Sequence, residues 1–388
     1  MKKRIVLLLA LILSLGLLAA CDKKEDVSTK EETNVESQVA EEKQEPKEEK
    51  ASEVKEENNL GQGFYTEETL PNYEAKADEV VITDDSVSFV DGLGTEKTIK
   101  KNPQRVVGLY PSHTILWYES GGEMVGRITT KTSESRMPEE SKNIEFIGDT
   151  TSADKLSIEK IMSVNPELVI LGLGSQADMI ETFTELGVET IVIDNENLDD
   201  YLKWVKVIAN INNKPEIYDE VLQTVLEPVK EILLKVPSDN HPKALMMQAN
   251  DKGTLVAYLP GTTAGGIMDD LKGENIAVGL SDKEHDPTKG VDKIDLSFEI
   301  LLENQPDIIL LKHSKVEEDF DVIKMVKDTL DSNPVWTSLD AVKADEIYSL
   351  PVDYFYYKAT LKYPQAYEYM AKILYPEIFG QQEKNDKK

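Results

Sequence analysis

Short apolar runs alternate with helical patterns along the chain from about residue 86. Runs of four or five apolar residues predict buried strands, and apolar residues recurring every three or four positions predict amphipathic helices. Their alternation is typical of βαβ units with parallel sheets. The predicted strands form two series, namely Arg105–Leu109, Leu168–Leu171 and Thr190–Asp194 in the first, then Lys243–Gln248, Ile308–Leu311 and Ile347–Leu350 in the second.

One long helix is predicted between the two series, over residues 214–237. Its apolar residues keep steps of three, four and one, which puts them on a single stripe of an α-helix. Pro215 suits the first turn of a helix, whereas Pro228 lies inside and is expected to kink or split it. Pro237 ends the pattern.

The chain repeats itself on either side of this helix. Residues 156–171 align without gaps on residues 296–311, and five of the sixteen positions are identical. Each copy is a Ser-capped helix turn, then a proline–acid turn, then a buried strand. Two copies predict two similar α/β lobes, which we assign to residues 81–213 and 238–380.

The first 20 residues have the pattern of a signal peptide. Basic residues 2–4 precede an apolar stretch, 5–20, that is shorter than a membrane-spanning helix requires. The stretch ends in Leu18-Ala19-Ala20-Cys21, which looks like a bacterial lipobox. Cys21 is the only cysteine of the chain, so we expect it to carry a lipid anchor that includes palmitate. An ordinary secretory signal followed by an incidental cysteine is the alternative.

Residues 22–57 contain 14 acidic residues and 7 lysines, with four valines as their only sizeable apolar residues. Such a segment buries too little surface to offset its ordering entropy. We therefore assign residues 21–80 to a disordered acidic tether, and residues 381–388 to a polar tail. The formal net charge of −30 argues against nucleic acid as a partner and against electrostatic binding to anionic lipid.

Two α/β lobes joined by one long helix, behind a lipoprotein signal, resemble the solute-binding proteins of ABC importers for iron–siderophore complexes, haem and cobalamin. The resemblance covers residues 86–379, and its recognisable pieces are Asn102–Val107, Gly122–Arg127, the two repeats, Gly273–Ala277, Asn333–Trp336 and Ala341–Tyr348.

That resemblance implies two Rossmann-like lobes with parallel sheets and a ligand cleft between them. It also implies a monomer that captures a ferric-siderophore-type complex and delivers it to a permease dimer with a cytoplasmic ATPase, with no catalysis and no resident cofactor. Haem or cobalamin is the alternative cargo. A lipid-anchored enzyme or redox protein on a related fold is the alternative of another class, and the lack of hydrolase motifs speaks against it.

The resemblance further implies that Glu159 and Glu299, one on each lobe, dock onto arginines of the permease. A carboxylate in the first turn of a Ser-capped helix also stabilises that helix, which is the structural alternative. The same family role places the protein on the extracytoplasmic face of a membrane. A tethered receptor suits a cell without an outer membrane, so we favour a Gram-positive-type surface.

Ligands of α/β sheets lie at the carboxyl ends of the strands. The loops after the predicted strands therefore supply our candidate ligand-binding residues. These are Tyr110, Ser112, His113, Arg127, Gly174, Ser175, Asn250, Thr262, Lys312, His313, Tyr354, Tyr356 and Lys358.

Three of these predictions carry specific chemistry. In the aromatic run 354–357, Tyr354 or Tyr356 is expected to stack on a planar ligand, with Lys358 meeting its negative charge. His113 and His313 are expected to ligate metal only if haem is the cargo; otherwise they are hydrogen-bonding residues at helix starts. Arg127 could pair with an anionic siderophore, or with Asp149 or Glu134 of the protein itself.

A glycine-rich turn at residues 172–177, with Asp194 closing the next strand, resembles a dinucleotide fingerprint. The unit lies in the middle of a lobe, its last glycine position is Ala177, and no nicotinamide pool exists outside the membrane. We interpret it as a tight turn between a strand and a helix, and expect no cofactor.

Overall fold

The computed structural model describes residues 63–249, 255–258, 261–278, 293–295, 298–317 and 320–384. No helix within these ranges is long and apolar enough to cross a membrane. The predicted signal peptide, Cys21, the first part of the predicted tether and Asn250 lie outside the described residues, and so do the side chains of Ser175 and Glu299.

Strands and helices alternate along the chain as the sequence pattern predicts. The strands are β1 (Val81–Ile82), β2 (Ser86–Val90), β3 (Glu96–Lys100), β4 (Val106–Gly108), β5 (Gly126–Ile128), β6 (Glu145–Gly148), β7 (Leu168–Gly172), β8 (Glu189–Ile193), β9 (Lys243–Ala249), β10 (Leu255–Tyr258), β11 (Glu274–Asn275), β12 (Lys293–Asp295), β13 (Ile308–Lys312) and β14 (Ile347–Leu350). The α-helices are α1 (Ala75–Asp78), α2 (Pro111–Glu119), α3 (Ile158–Met162), α4 (Ile180–Glu185), α5 (Leu198–Ile211), α6 (Glu216–Val221), α7 (Glu227–Leu233), α8 (Thr263–Asp270), α9 (Phe298–Glu303), α10 (Val322–Leu330), α11 (Pro334–Ser338), α12 (Asp340–Lys343), α13 (Tyr363–Leu374) and α14 (Pro376–Phe379).

The N-terminal lobe is built on a parallel sheet with the spatial order β6-β5-β4-β7-β8. Side chains of β7 alternate between two cores, because successive residues of a strand point to opposite faces. Leu168 and Ile170 face one core, whereas Val169 and Leu171 face the other. Both faces of the sheet are thus covered, as is usual for parallel sheets.

The C-terminal lobe has a mixed sheet with the order β12-β10-β9-β13-β14, and β11 also pairs with β9. β13 lies parallel to both β9 and β14, which confirms the predicted α/β class. β10 and β12 extend the sheet in antiparallel pairing, a feature that the prediction of parallel sheets omitted. β10 is short, and the apolar pattern of Leu255–Tyr258 was not distinct enough to predict a strand.

The two repeated segments perform the same structural task in the two lobes. The carboxylate of Glu167 accepts a hydrogen bond from the Gln104 backbone at 2.7 Å, just before β4. Asp307 likewise accepts from the backbone of Lys243, the first residue of β9, at 2.8 Å. The proline–acid turn of each copy therefore fixes where the neighbouring strand begins, and each copy's strand is the fourth of five in the order of its sheet.

The predicted interlobe helix is continuous rather than split. Residues 222–226 form a π-helical turn between α6 and α7, directly before Pro228. A proline inside an α-helix lacks an N–H, and its ring collides with the carbonyl four residues earlier. A wider π turn relieves that collision, which is why the helix passes Pro228 without breaking.

Residues 63–80 fold onto the lobes, although we included them in the predicted tether. Tyr65 and Tyr73 are buried, and the Tyr65 hydroxyl donates to the backbone carbonyl of Asp270 at 2.8 Å. Lys76 forms an ion pair with Asp199 at 3.0 Å and another with Asp200. The aromatic residues of this segment, a type absent from residues 22–57, supply buried surface that the acidic segment lacks.

Candidate functional site

A cavity of about 560 Å³ lies between the lobes, where the carboxyl ends of the two sheets face each other. The residues after β4, β5, β6, β7 and β8 form its wall on the N-terminal lobe, and the ends of β9 and β13 and the loop after β14 form the other wall. The lining residues are Tyr110, Pro111, Ser112, His113, Thr130, Thr132, Ser133, Thr151, Leu173, Ile193, Asn195, Glu196, Gln248, Thr262, Thr263, Lys312, Phe355, Tyr356, Tyr357 and Lys358.

The start of α2 brings Tyr110, Ser112 and His113 to the cavity. Tyr110 is the extended residue before the helix, Pro111 occupies its first turn, and the Tyr110 ring stacks on His113 with centroids 4.7 Å apart. A Cβ on Gly172 would lie 2.6 Å from the Tyr110 ring. Only glycine therefore lets β7 run past this aromatic side chain.

His113 is a neutral imidazole at physiological pH. Its side chain is buried, and burial together with the positive charge of Lys358 lowers its pKa to about 3. A buried imidazole without a nearby carboxylate loses more by desolvation of its charged form than it gains from its surroundings. His113 can accordingly donate or accept a hydrogen bond, or offer a lone pair, without adding charge to the cavity.

Among the residues that the structure describes, two lysines and one glutamate are the charged residues of the lining. Lys312, at the end of β13, is buried, and its Nζ lies 5.7 Å from the centroid of the Tyr356 ring. Lys358 forms an ion pair with Glu196, which belongs to the opposite lobe. The cavity-lining residues in the described part of the chain therefore carry one more positive than negative charge, in a protein whose formal net charge is −30.

The aromatic run after β14 divides between the cavity and the core. Residues 352–356 form a π-helical turn, which brings Tyr356 and its neighbours Phe355 and Tyr357 to the cavity. Tyr354 is not among the lining residues: its ring lies 6.5 Å from that of Tyr369 and packs against the core. Of our two candidate tyrosines, only Tyr356 thus reaches the cavity.

Arg127 does not reach the cavity. Its guanidinium is buried, donates to the Ser141 carbonyl at 2.6 Å and pairs with Glu134 at 3.2 Å. This ion pair is the alternative to ligand binding that the sequence left open, so the interpretation of Arg127 as a ligand contact is corrected. A buried guanidinium needs such partners, since desolvation of an unpaired charge is costly.

His313 and Gly174 also lie outside the cavity lining. The His313 Nε2 lies 3.2 Å from the Ser349 Oγ, and the ring packs near Phe320. The two histidines therefore do not face one ligand from opposite sides. Gly174, with φ of 85°, makes the turn after β7, and its neighbour Leu173 lines the cavity instead.

Thr262 lies at the cavity and caps α8 by accepting a hydrogen bond from the Gly265 backbone at 3.0 Å. Asn195, Glu196 and Gln248 also line the cavity, although the sequence analysis did not single them out. Asn195 and Glu196 follow β8, so the rule that loops after strands line the cleft would have found them if it had been applied to the loop after Asp194.

Direct contacts join the lobes beside the cavity. Arg136 pairs with Asp353 at 3.2 Å, and its guanidinium lies 4.3 Å above the centroid of the Tyr357 ring. The Tyr357 hydroxyl donates to the Thr132 carbonyl. These contacts hold the aromatic run of one lobe against residues 132–136 of the other, and so fix one wall of the cavity.

Residues 106–354 of this chain match the family described as Periplasmic binding protein, which is well over half of the 388 residues. The chain belongs to this family. Membership confirms the resemblance that the motifs indicated.

Among relatives, the chain is similar to the "Uncharacterized ABC transporter substrate-binding lipoprotein YvrC" of Bacillus subtilis (strain 168). The two are 22% identical over 300 residues, which cover 76% of this chain and 87% of the relative. It is also similar to the "High-affinity heme uptake system protein IsdE" of Staphylococcus aureus (strain bovine RF122 / ET3-1). Here the identity is 25% over 226 residues, covering 56% of this chain and 70% of the relative.

Among solved structures, the "Periplasmic Catecholate-Siderophore Binding Protein VctP" from Vibrio cholerae has the same fold. The TM-score is 0.57 with 17% identity, and the match covers 75% of this chain and 99% of that one. At this identity the likeness concerns the fold alone.

Glu159 occupies the first turn of α3 in this periplasmic binding protein, and its side chain is exposed. Ser157 caps the same helix by accepting from the Lys160 backbone at 3.2 Å. No hydrogen bond or ion pair of the Glu159 carboxylate occurs within the described part of the chain. Because Ser157 caps the helix, the Glu159 carboxylate is available at the surface. Docking of Glu159 onto a permease stays a prediction.

Glu119 is a buried carboxyl group at the lobe interface. The Thr360 hydroxyl of the other lobe donates to its Oε1 at 3.2 Å, and its Oε2 has no partner among the described residues. Burial raises the pKa of Glu119 to about 7, and the Thr360 hydrogen bond and the charges of Arg136 and Lys362 limit that rise.

The substitution Glu119→Gln is expected to make stability less dependent on pH. The folded protein binds the Glu119 proton more tightly than the unfolded chain, so wild-type stability falls as pH rises from about 4.5 through 7. We expect the variant to exceed the wild type by about 2 kcal/mol at pH 8 and to match it near pH 4.5. Urea unfolding at several pH values, followed by Trp fluorescence, measures this difference.

Glu181→Gln, which changes an exposed glutamate of the same lobe, is the matched control. Its difference in unfolding free energy from the wild type should be the same at each pH. Equal stability differences for Glu119→Gln at both pH values would contradict the assignment.

Proposed function

We propose that this protein is the substrate-binding component of an ABC importer and that it binds a ferric-siderophore-type complex in the cleft between its lobes. The observation that carries the proposal is the lining of the cavity, which combines Lys312 and Lys358 with the aromatic rings of Tyr110 and Tyr356. The name of YvrC supports the importer role, and that of IsdE supports uptake of an iron-containing ligand.

The chemistry of the lining suits an oxygen-rich anion. Iron complexes of catecholate ligands present negatively charged oxygens around flat aromatic rings. Lysine ammonium groups attract such oxygens, and tyrosine faces stack on the rings. Hydroxyl groups line the rest of the wall and can hydrogen-bond to the same oxygens; they are those of Ser112, Thr130, Thr132, Ser133, Thr151, Thr262 and Thr263.

Charge removal at the two lysines is expected to weaken binding of a trianionic iron(III) tris-catecholate complex. Lys312→Gln and Lys358→Gln should each raise Kd about tenfold, because each removes a cation from a partly desolvated site. Quenching of intrinsic Trp fluorescence on titration measures Kd.

Lys100→Gln, on the exposed face of β3, is the control and should leave Kd unchanged. If the wild-type protein binds neither this complex nor any other ferric complex, the proposed cargo class is wrong.

Haem is the second candidate cargo, and His113 is the observation that favours it. A neutral imidazole in the cavity is suited to bind a haem iron from one side. Reconstitution with haem should then give a Soret band that shifts or disappears in His113→Ala and is unchanged in His313→Ala, because His313 lies outside the lining. An identical band in His113→Ala would remove this residue as an iron ligand.

Delivery of the cargo is proposed to use Glu159 and Glu299 as docking charges for a permease dimer. Both belong to the repeated segment, and Glu159 is exposed on α3. Matched carboxylates on two similar lobes suit a partner with two-fold symmetry. We further propose that Cys21 carries the lipid anchor and that the acidic segment after it tethers the folded part to the extracytoplasmic face of the membrane.

The double substitution of Glu159 and Glu299 by Lys is expected to abolish uptake while leaving the Kd for the ligand unchanged. Charge reversal replaces attraction to the permease by repulsion, and Glu159 does not lie among the cavity-lining residues. Uptake of iron-55 as the ferric complex in cells that express the cognate permease measures the effect. Glu181→Lys is the control, and undiminished uptake in the double variant would end the docking proposal.

A further inference from the structure

The ion pair between Glu196 and Lys358 joins the two walls of the cavity. Glu196 belongs to the loop between β8 and α5 of the N-terminal lobe, and Lys358 follows the aromatic run of the C-terminal lobe. Both residues line the cavity. The pair thus engages Lys358, one of the two lysines that the proposed function requires for ligand binding.

The two partners differ in their freedom to move. The Lys358 side chain is 15% exposed and that of Glu196 is 35% exposed. The backbone carbonyl of Lys358 accepts from Arg136 at 3.4 Å, and Tyr357 beside it is fixed to Thr132. Lys358 is therefore held in place, whereas the Glu196 carboxylate has access to solvent.

We propose that Glu196 acts as an internal counter-anion that occupies the position of the ligand's acidic group, and that it thereby selects for anionic ligands. A largely buried ammonium group requires a counter-charge, because leaving it unpaired is costly. The carboxylate of Glu196 meets this requirement. This inference rests on the proposed function.

An anionic ligand can exchange places with Glu196. Its oxygens pair with Lys358, and the displaced carboxylate regains hydration on its exposed side. A neutral ligand offers no such replacement, so it must either break the pair without compensation or leave part of the cavity to the pair. The cost of displacing Glu196 is thus recovered only by ligands that carry negative charge.

The neutral isostere at this position provides the test. Glu196→Gln removes the charge that competes with the ligand for Lys358, so we expect the iron(III) tris-catecholate trianion to bind about five- to tenfold more tightly. The affinity of Glu196→Gln for a neutral iron(III) tris-hydroxamate complex should differ from that of the wild type by less than about twofold, because this complex does not pair with Lys358. Fluorescence titration measures both affinities.

The effect must act through Lys358. In the Lys358→Gln background, Glu196→Gln should therefore alter the affinity for the trianion by no more than about twofold, and this double-mutant cycle isolates the pair. Glu185→Gln removes an exposed charge from the end of α4, outside the cavity lining, and should leave the affinity unchanged.

Weaker or unchanged binding of the trianion by Glu196→Gln would overturn the inference, since a glutamate that contacts the ligand directly would give weaker binding. The same tightening in the Lys358→Gln background would overturn it as well. Either result leaves the proposed function standing as long as the wild-type protein binds the trianion. Absence of wild-type binding to any ferric complex would instead remove the proposed function.

Discussion

The arrangement of this protein depends on one apolar core that continues from one sheet to the other through the interlobe helix. Ile170 of β7, Val229 and Leu233 of α7, and Met246 of β9 belong to the same cluster of buried side chains. Removing this surface from water is the dominant favourable term in folding, and interiors of this kind are closely packed. The lobes are therefore held in one relation to each other, and the cavity between them takes its shape from that relation.

The opposite faces of the two sheets bury separate cores of their own. The sheet of each lobe is thus covered on both faces, while the shared core replaces the flexible linker that many two-domain proteins use. The N-terminal segment reinforces this arrangement. Tyr65 reaches Asp270 of one lobe and Lys76 pairs with Asp200 of the other, so a single short stretch contacts both.

On the cleft side, the lobes meet through polar groups rather than apolar ones. Arg136 with Asp353, Glu196 with Lys358 and Thr360 with Glu119 each join residues of different lobes. Such pairs contribute little stability when solvent reaches them, but their geometry and charge determine what can enter. A closely packed apolar side and a charged cleft side are suited to the proposed binding of an anionic ligand between the lobes.

Much of this was determined by the sequence alone. Apolar periodicity gave the strands and helices, because a period of two or of about 3.6 follows from backbone geometry. The repeat of residues 156–171 in 296–311 gave the two lobes, because a segment that begins a strand in one lobe does so in the other. The rule that ligands lie at the carboxyl ends of strands brought Tyr110, Lys312 and Lys358 together in advance.

Only the tertiary structure decided which of the candidate side chains share the cavity. Arg127 lies three residues before the lining residue Thr130, and Tyr354 directly precedes Phe355. Nevertheless one pairs with Glu134 and the other packs on Tyr369, because neighbouring side chains divide between cleft and core according to what surrounds them. The same holds for Pro228, whose effect on the helix depended on a local π turn. The pairing of Glu196 with Lys358 joins residues of separate lobes, and long-range pairs of this kind follow from packing rather than from any local pattern.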